Sequence, residues 1–290
     1  MWLANNWEDY KILDTCDGEK LEKWGDYIFV RPDPQVIWKI KHNEKEWKNA
    51  NGRYIRSNKG GGNWDMKNKK LPDNWTISYK DLKFIVKPTG FKHTGLFPEQ
   101  AANWDFIMDK ISDANREIKV LNLFGYTGGA TIAALSKGAS VCHVDASKGI
   151  MNWCKDNVYA NNFQDKKIRY IVDDAVKFVE REIRRNNKYD AIIMDPPSYC
   201  RGPNGEIWKL EDKIYDLVNL LTNVLSDTPL FFIVNSYTTG FAPTVLYNIL
   251  SMTVNKKFKG KVTAEELGIP VENSPYILPC GSTGRWEAVN

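Results

Sequence analysis

The sequence predicts an α/β fold, in which a doubly wound parallel sheet in residues 91–290 follows a small, mostly β domain in residues 1–90. From Lys119 onward, short apolar runs alternate with segments of helical periodicity, a pattern typical of parallel sheets covered by helices on both faces. The earlier region is rich in tryptophan, since eight of the eleven tryptophans lie at or before Trp104. These two observations separate the two domains.

The composition is that of an ordinary globular protein. The chain has 290 residues, 42% hydrophobic and 26% charged, which is enough for a large core. A net charge of +4 is compatible with a polyanionic partner but does not require one. The five cysteines lack metal-ligand or redox spacing, so we expect free thiols and no metal. Because no signal peptide or membrane-spanning apolar run is found, we expect a cytoplasmic protein without membrane contact.

Residues 1–90 contain short apolar runs separated by proline and glycine turns, which predict strands at 27–30, 36–38, 75–79 and 82–86. Large rings can fill the core of a small domain, and we favour this interpretation of the tryptophans. The alternative is base stacking, which would require the rings to stand among basic residues on an exposed face. The domain is a candidate for substrate recognition.

Residues 91–290 carry the alternating elements. A helix is predicted from Pro98, because proline suits the first helical position. Cys154 falls on the apolar face of its predicted helix, so we expect it in the core. Right-handed crossovers between the parallel strands make the sheet doubly wound. The predicted strands are 120–124, 141–144, 169–172, 191–194 and 230–234, and the predicted helices are 131–135, 150–159, 176–183 and 210–225.

Three consecutive strands end in residues suited to a ligand, and open parallel sheets bind ligands at these carboxyl ends. The first strand leads into a turn at 124–129, where glycines permit positive φ and close backbone approach. Asp145, at the second end, can bind both hydroxyls of a ribose, and Asp174, at the third, can accept from an adenine amino group. Each has a structural alternative, since such glycines often only form turns and Asp174 could only cap a helix. Together they predict an adenosine pocket.

The glycine spacing distinguishes between adenosine cofactors. Gly125, Gly128 and Gly129 do not form the G-x-G-x-x-G fingerprint, whose third glycine allows tight helix packing in dinucleotide sites. A cofactor without pyrophosphate needs only close backbone approach, and S-adenosylmethionine fits, with its amino-acid moiety over the turn. The residues predicted to bind this cofactor are Phe124, Gly125, Tyr126, Thr127, Gly128, Asp145, Ala146, Ser147, Asp174 and Ala175.

The fourth strand is followed by Asp195, Pro196, Pro197, Ser198 and Tyr199. Neither proline can donate a backbone N–H and each fixes φ, so the strand ends in a stiff loop. Its carbonyls and the Asp195 carboxylate can hold a flat group that bears an amine. Asp195, Pro196, Pro197 and Tyr199 are the predicted catalytic residues: the first two orient the acceptor, and Tyr199 stacks on its ring. A base that reaches this loop must be flipped out or single-stranded.

Three segments, 120–129, 144–148 and 195–199, resemble class I S-adenosylmethionine-dependent methyltransferases. The chain is most similar to the group related to bacterial 23S rRNA 5-methylcytosine methyltransferases, in which a Thr-Gly-Phe-Phe-x-Asp-Gln-Arg segment precedes the catalytic domain. Residues 94–100 are similar to that segment, with Ala101 in place of its arginine. The resemblance covers about residues 91–240. It implies a Rossmann-like methyltransferase sheet, a role for Gln100 in cofactor binding, and an RNA partner, with a base of rRNA as substrate. The RNA-binding PUA domain of that group has no recognisable counterpart in residues 1–90.

The acceptor atom stays open between nitrogen, carbon and oxygen. In the group that the chain resembles, carbon methylation uses a cysteine after the fifth strand, and residues 234–240 contain none. Cys200 is the remaining thiol expected near the cleft, and a lone thiol without a neighbouring base or cation is usually inert. Enzymes that modify amines usually place an aromatic residue directly after the prolines, whereas Ser198 intervenes here.

Three functions remain open. The proline loop and the resemblance favour a methyltransferase acting on RNA. A nicotinamide oxidoreductase is opposed by the glycine spacing and by the prolines after Asp195. A non-catalytic, cofactor-binding protein associated with RNA stays open because the cysteine is missing and Ala101 replaces the arginine. Methyl transfer to protein or to another substrate is a further alternative.

Overall fold

The computed structural model of the chain describes residues 1–57, 61–67, 71–201, 207–238 and 240–289. These residues form two units, which are described separately. The larger comprises Met1–Trp2, Asn103–Leu267 and Cys280–Asn290, and the smaller comprises Leu3–Ala102 and Gly268–Pro279. The predicted division into domains 1–90 and 91–290 stays a prediction.

The elements are numbered in chain order. The strands are β1 (Trp2–Leu3), β2 (Tyr10–Cys16), β3 (Glu19–Trp24), β4 (Tyr27–Pro32), β5 (Gly52–Arg56), β6 (Gly62–Met66), β7 (Trp75–Tyr79), β8 (Leu82–Val86), β9 (Lys119–Leu123), β10 (Ser140–Asp145), β11 (Ile168–Val172), β12 (Ala191–Met194), β13 (Tyr199–Arg201), β14 (Ile207–Lys209), β15 (Phe231–Ser236), β16 (Gly260–Pro270) and β17 (Ile277–Ala288). The helices are α1 (Glu44–Asn49), α2 (Ala101–Asp113), α3 (Gly129–Ser136), α4 (Lys148–Ala160), α5 (Ala175–Arg184), α6 (Leu210–Leu221), α7 (Pro243–Met252) and α8 (Val254–Lys257), with a 3₁₀ helix at Pro98–Gln100.

The larger unit contains the predicted doubly wound sheet. Eight strands lie in the order β11-β10-β9-β12-β15-β17-β16-β1. The five from β11 to β15 are parallel, and β17 is antiparallel to β15. The chain runs outward from β9 through β10 to β11 and then returns to β12 on the other side of β9. The order of strands therefore reverses beside β9, which is where such sheets bind ligands.

The register of the central strands aligns their carboxyl ends. Leu123, the last residue of β9, pairs with Val144 of β10 and with Met194 of β12. The next residue of each strand therefore lies at the same edge of the sheet, beside the next residue of its neighbour. This register brings the turn at 124–129, Asp145 and Asp195 to the same edge, and β11 joins them there because Asp145 pairs with Val172.

Apolar burial on both faces explains why these strands form. All four residues of β12 are buried, as expected for a strand covered by helices on both sides. Cys154 of α4 is fully buried, which confirms its predicted place in the core. The helix predicted from Pro98 begins with the 3₁₀ turn and continues as α2. Among the described residues, no helix is both long and apolar enough to cross a membrane.

The smaller unit is rich in β structure, as predicted. Its sheet has the order β2-β3-β4-β5-β6 and is antiparallel except for the parallel pair β4 and β5, and β7 and β8 form a separate hairpin. The strand predicted at 36–38 is absent. The carbonyls of Val36 and Trp38 instead accept hydrogen bonds from the turn residues Gly18 and Asp17, both at 2.7 Å, so this segment joins a turn and not a ladder.

Three of the six tryptophans of the smaller unit are buried in its core, as predicted, and Trp38, Trp64 and Trp75 are partly buried. Trp24 is fully buried, and Trp7 and Trp47 are at most 8% exposed. The Tyr10 ring packs edge-on against both Trp7 and Trp24, with centroid separations of 5.8 and 4.6 Å. Edge-on aromatic pairs of this kind add stability beyond that of their buried area.

Candidate cofactor and acceptor site

The turn after β9 has an unusual backbone. Phe124, Tyr126 and Gly128 have φ angles of 55°, 50° and 91°. The expectation that glycines supply the positive φ therefore holds for Gly128 but not for Gly125. Backbone hydrogen bonds fix the turn, because Gly125 donates to the Val144 carbonyl and Gly128 donates to the Gly125 carbonyl, both at 3.0 Å. Left-handed backbone at residues with a Cβ is uncommon and is concentrated at functional sites.

Gly125 is required for space. A Cβ built on it would lie 2.4 Å from Cε1 of His143. His143 is fully buried on β10, its Nδ1 is 2.9 Å from the Thr131 hydroxyl, and the Cys154 sulfur lies 3.7 Å away. Burial lowers the pKa of His143 to about 4, so the imidazole is neutral near pH 7. The buried, neutral His143 ring therefore packs against the backbone of the turn and limits residue 125 to glycine.

Asp145 holds the turn from the neighbouring strand. Its Oδ2 accepts a hydrogen bond from the Tyr126 N–H at 3.0 Å, and its Oδ1 accepts one from the Ser147 N–H at 2.9 Å. Burial raises the pKa of Asp145, and these two backbone hydrogen bonds oppose the rise. Each oxygen keeps a second lone pair for a ligand. Ala146 and Ser147 are exposed beside it, and Ser147 also caps α4 through the Ile150 N–H.

The third strand end has clear structural roles. Asp174 is the N-cap of α5, accepting from the Lys177 N–H at 2.9 Å, while Asp173 pairs with Arg181. The capping alternative considered for Asp174 is therefore present. It uses one carboxylate oxygen, and the side chain is exposed, so the other oxygen can still accept from a ligand. Ala175 is buried at the start of α5.

The loop after β12 begins at the same edge. The Asp195 N–H is 3.4 Å from the Leu123 carbonyl, the Asp195 side chain is partly buried, and Pro196 is buried. The Pro197 carbonyl accepts a hydrogen bond from the indole N–H of Trp208 at 2.7 Å. This contact fixes the loop against β14.

Trp208 was not predicted as a site residue. Its ring lies 5.9 Å from the Phe124 ring, so it connects the proline loop with the turn after β9. The sequence signal that could have located it is the Asn204-Gly205 pair, a hairpin-turn sequence in a segment outside the described residues. Tyr199 precedes Cys200, which pairs with Trp208 across the hairpin, so Tyr199 lies on the opposite face and is 50% exposed.

Cys200 is exposed on β13. Partial loss of solvent and the negative charge of Asp174 raise the pKa of its thiol. Because the thiolate is the reactive form, the surroundings of this cysteine disfavour its action as a nucleophile near neutral pH.

A buried polar network lies at the end of β15 and was also missed. Asn103 of α2 donates to Asn235 Oδ1 at 3.1 Å, and its own Oδ1 accepts two hydrogen bonds from Arg285, at 3.0 and 2.8 Å. Burial lowers the pKa of Arg285 to about 10. These partners are more than 130 positions apart in the chain, so no local pattern could reveal them.

The structure does not relate every predicted residue to this edge. Thr127 and Gly128 are buried in the turn, and the Thr127 carbonyl accepts from Asn157 at 2.8 Å. Gln100 is buried in the 3₁₀ helix of the smaller unit, so its contact with a cofactor stays a prediction. No group of three or more His, Cys, Asp or Glu side chains able to hold a metal occurs among the residues described.

Comparison with known proteins places this geometry in context. The ribosomal RNA large subunit methyltransferase K/L of Shewanella baltica is 33% identical over 147 residues, which are 49% of this chain. The aligned part of the chain spans 19% of the length of this Shewanella protein and 28% of the protein of the same name from Colwellia psychrerythraea.

Two solved structures share the fold. The SAM-dependent methyltransferase from Agrobacterium tumefaciens is 33% identical, has a TM-score of 0.93, and aligns over 99% of this chain and 93% of its own. SMU.776, solved as a complex with SAH, is 19% identical with a TM-score of 0.72, over 97% of this chain and 76% of its own. At that identity the second likeness concerns the fold alone.

The family model for S-adenosylmethionine-dependent methyltransferases matches residues 47–239. This range contains the turn, Asp145, Asp174 and the proline loop. The chain therefore belongs to the S-adenosylmethionine-dependent methyltransferase family, with S-adenosylmethionine as its cofactor.

Proposed function

We propose that the chain transfers the methyl group of S-adenosylmethionine to a nitrogen of an RNA base, with ribosomal RNA as the substrate. The observation that carries the acceptor chemistry is the Asp195-Pro196-Pro197 loop, which begins beside the cofactor turn through the contact between the Asp195 N–H and Leu123. The activity named for the relatives, methylation of ribosomal RNA, supports RNA as the substrate.

The residues at the sheet edge fit the cofactor. The turn at 124–128 offers closely approachable backbone for the amino-acid moiety, since Gly125 packs directly on His143. Asp145 is held by two backbone N–H groups with its remaining lone pairs available to both ribose hydroxyls. The Asp174 oxygen that does not cap α5 would accept from the adenine amino group, with Ala175 next to it in the chain and with Ala146 and Ser147 following Asp145. When bound, S-adenosylmethionine supplies an electrophilic methyl group on a sulfonium.

The proline loop would orient the acceptor. A carboxylate and a carbonyl accept hydrogen bonds from N–H groups, so Asp195 and Pro196 would hold a base nitrogen and direct its lone pair at the methyl group. The Asp195 carboxylate would also receive the proton that this nitrogen loses. Alignment of this kind can contribute about 7–11 kcal/mol to lowering the barrier.

A carbon acceptor is disfavoured. Carbon methylation by covalent addition needs a thiolate, residues 234–240 contain no cysteine, and the pKa of Cys200 is raised by lost solvent and by Asp174. Nitrogen needs no enzyme nucleophile, because its own lone pair attacks. The predicted stacking role of Tyr199 stays a proposal, and its hydroxyl accepts from Arg201 Nε at 3.0 Å.

The test is to incubate the purified chain and cofactor labelled in the methyl group with total RNA, DNA and protein from a strain that lacks it. We expect label in RNA, at a base nitrogen after nuclease digestion. Asp195→Ala should retain cofactor affinity within a few-fold but lower turnover by ~100-fold or more, because only alignment in the transition state is lost. The matched control is Asp227→Ala, which removes the same charge from an exposed turn. Label in protein or DNA, or an active Asp195→Ala enzyme, would refute the proposal.

A further inference from the structure

The loop at residues 88–93 of the smaller unit is held by hydrogen bonds to its backbone. The Thr89 carbonyl accepts from the Trp64 indole at 2.8 Å, and the Thr89 hydroxyl donates to the His93 carbonyl at 2.8 Å. The Lys92 carbonyl accepts from Arg31 Nη1 at 3.0 Å. The backbone of this loop is therefore anchored to β4 and β6.

The anchored loop presents an aromatic ring to solvent. Phe91 is 67% exposed, although the backbone of Thr89 before it and of Lys92 after it is hydrogen-bonded. A single exposed apolar side chain is ordinary on a protein surface and carries little information alone. A rigidly presented ring beside cations is a different case, because rings and cations together are the elements of single-strand recognition.

Lys92 forms no ion pair within 4 Å among the described residues, and Asp33 is the acidic residue whose charge acts on it. Two of the three cations that act on Lys92 already pair with carboxylates: Lys20 pairs with Asp33 at 3.2 Å, and Arg31 donates to the buried Glu22 at 2.7 Å. Partial burial, together with the positive charge of Lys20 and other nearby cations, lowers the pKa of Lys92. An anion bound beside Lys92 would relieve this repulsion.

Arg56, the last residue of β5, is a second cation near Lys92. It shares a strand face with Tyr54, whose ring packs 5.4 Å from that of Trp64, the residue that anchors Thr89. Arg56 is exposed and is among the charges that act on Lys92. The anchored loop therefore carries one cation, Lys92, and the end of β5 carries a second, Arg56, whose charge acts on the first.

We propose that Phe91, Lys92 and Arg56 form a contact for single-stranded RNA, with a base stacked on Phe91 and backbone phosphates bound by the two cations. This inference rests on the proposed RNA substrate and assigns part of the strand's binding to the smaller unit. A single strand fits better than a duplex, because a base must be unpaired to stack on a protein ring.

The test measures binding of a short fluorescein-labelled oligouridine to the full chain by fluorescence anisotropy over a series of salt concentrations. Phe91→Ala should weaken binding about 5-fold or more through lost stacking. Lys92→Gln and Arg56→Gln should each reduce the slope of log affinity against log salt by about 0.7, as expected for one lost phosphate contact on a single strand. The matched controls are Tyr159→Ala, a residue 66% exposed on α4, and Lys39→Gln, an exposed lysine, and neither should change binding.

The outcomes separate this inference from the proposed function. If the unaltered chain binds the oligouridine and the three variants behave like the controls, the inference is overturned while the RNA substrate stands. If the variants lose RNA binding but the unaltered chain labels only protein or DNA, the contact stands and the proposed function fails. Displacement of the RNA by poly-glutamate as readily as by unlabelled oligouridine would overturn the inference in favour of an acidic protein partner. Affinity for S-adenosylhomocysteine should be unchanged in all variants.

Discussion

Gly125→Ala is the sharpest test of how the turn is built, because it introduces a single defect. Gly125 does not have a positive φ, so alanine meets no backbone strain there. Its Cβ would, however, lie 2.4 and 2.6 Å from two atoms of the His143 ring. That ring is fully buried and cannot swing into solvent, so either the turn or the core beneath it must move.

The Gly125→Ala substitution can displace either the turn or the core around His143, and each displacement has its own measurable effect. Overpacking of a core typically costs 1–3 kcal/mol, and each kcal/mol lowers the Tm by roughly 2–4 °C for a chain of this size. If the turn moves, the hydrogen bond from the Tyr126 N–H to the Asp145 carboxylate weakens. Hydrogen bonds to charged groups contribute about 1.5–3 kcal/mol, so affinity for S-adenosylhomocysteine should fall by about 10-fold or more.

Calorimetric titration with S-adenosylhomocysteine and thermal unfolding measure the two effects. The matched control is Gly149→Ala near the start of α4, where the nearest atom to a new Cβ is 4.0 Å away, so stability should stay equal or rise. Combining Gly125→Ala with His143→Ala should restore affinity relative to Gly125→Ala alone, because both clashing atoms are removed. Wild-type affinity and Tm in Gly125→Ala would refute the packing argument.

Three further predictions concern single groups. Asp145→Ala should weaken S-adenosylhomocysteine binding by about 2–3 kcal/mol in calorimetry, and unchanged affinity would remove Asp145 from the pocket. Cys200→Ser should remain active in the methyl-transfer assay, and a folded, cofactor-binding but inactive variant would turn the assignment toward carbon. The folded-state pKa of His143 is about 4 against an ordinary 6.5, so its stability contribution is complete above pH 6.5 and is lost as the pH falls toward 4. The loss approaches about 3 kcal/mol, and urea unfolding at pH 7 and 4.5 should show a smaller decrease in His143→Gln than in the wild type.

The parts of the fold that the sequence predicts are those set by local patterns. Buried parallel strands are short apolar runs, and the intervening helices repeat their apolar residues every three to four positions, so both can be located without partners. The ends of β9, β10 and β12 then follow, and with them the edge where Asp145 and Asp195 lie. The strand predicted at 36–38 was wrong. The segment is a short apolar run, but its carbonyls accept hydrogen bonds from turn residues and not from a neighbouring strand.

The missed features depend on contacts between distant segments. Trp208 reaches Pro197 only because β13 and β14 form a hairpin, and Arg285 reaches Asn103 across 182 positions. The Phe91 loop is likewise defined by Trp64 and Arg31, which approach it from two different strands. Pattern analysis along the chain cannot find such pairs, because nothing in either partner's own segment specifies the other.

The positive φ angles of this turn fall on Phe124 and Tyr126 as well as on Gly128, so the glycines alone do not explain its backbone conformation. Left-handed backbone at such residues costs about 1–3 kcal/mol each and persists only where surrounding contacts fix it. Here Asp145 supplies one of those contacts by accepting from the Tyr126 N–H. The same carboxylate is assigned to the ribose, so cofactor binding and the shape of the turn are coupled through one side chain. Asp145→Asn should therefore be more damaging to cofactor affinity than loss of a ribose contact alone, since its amide can no longer accept from both Tyr126 and Ser147.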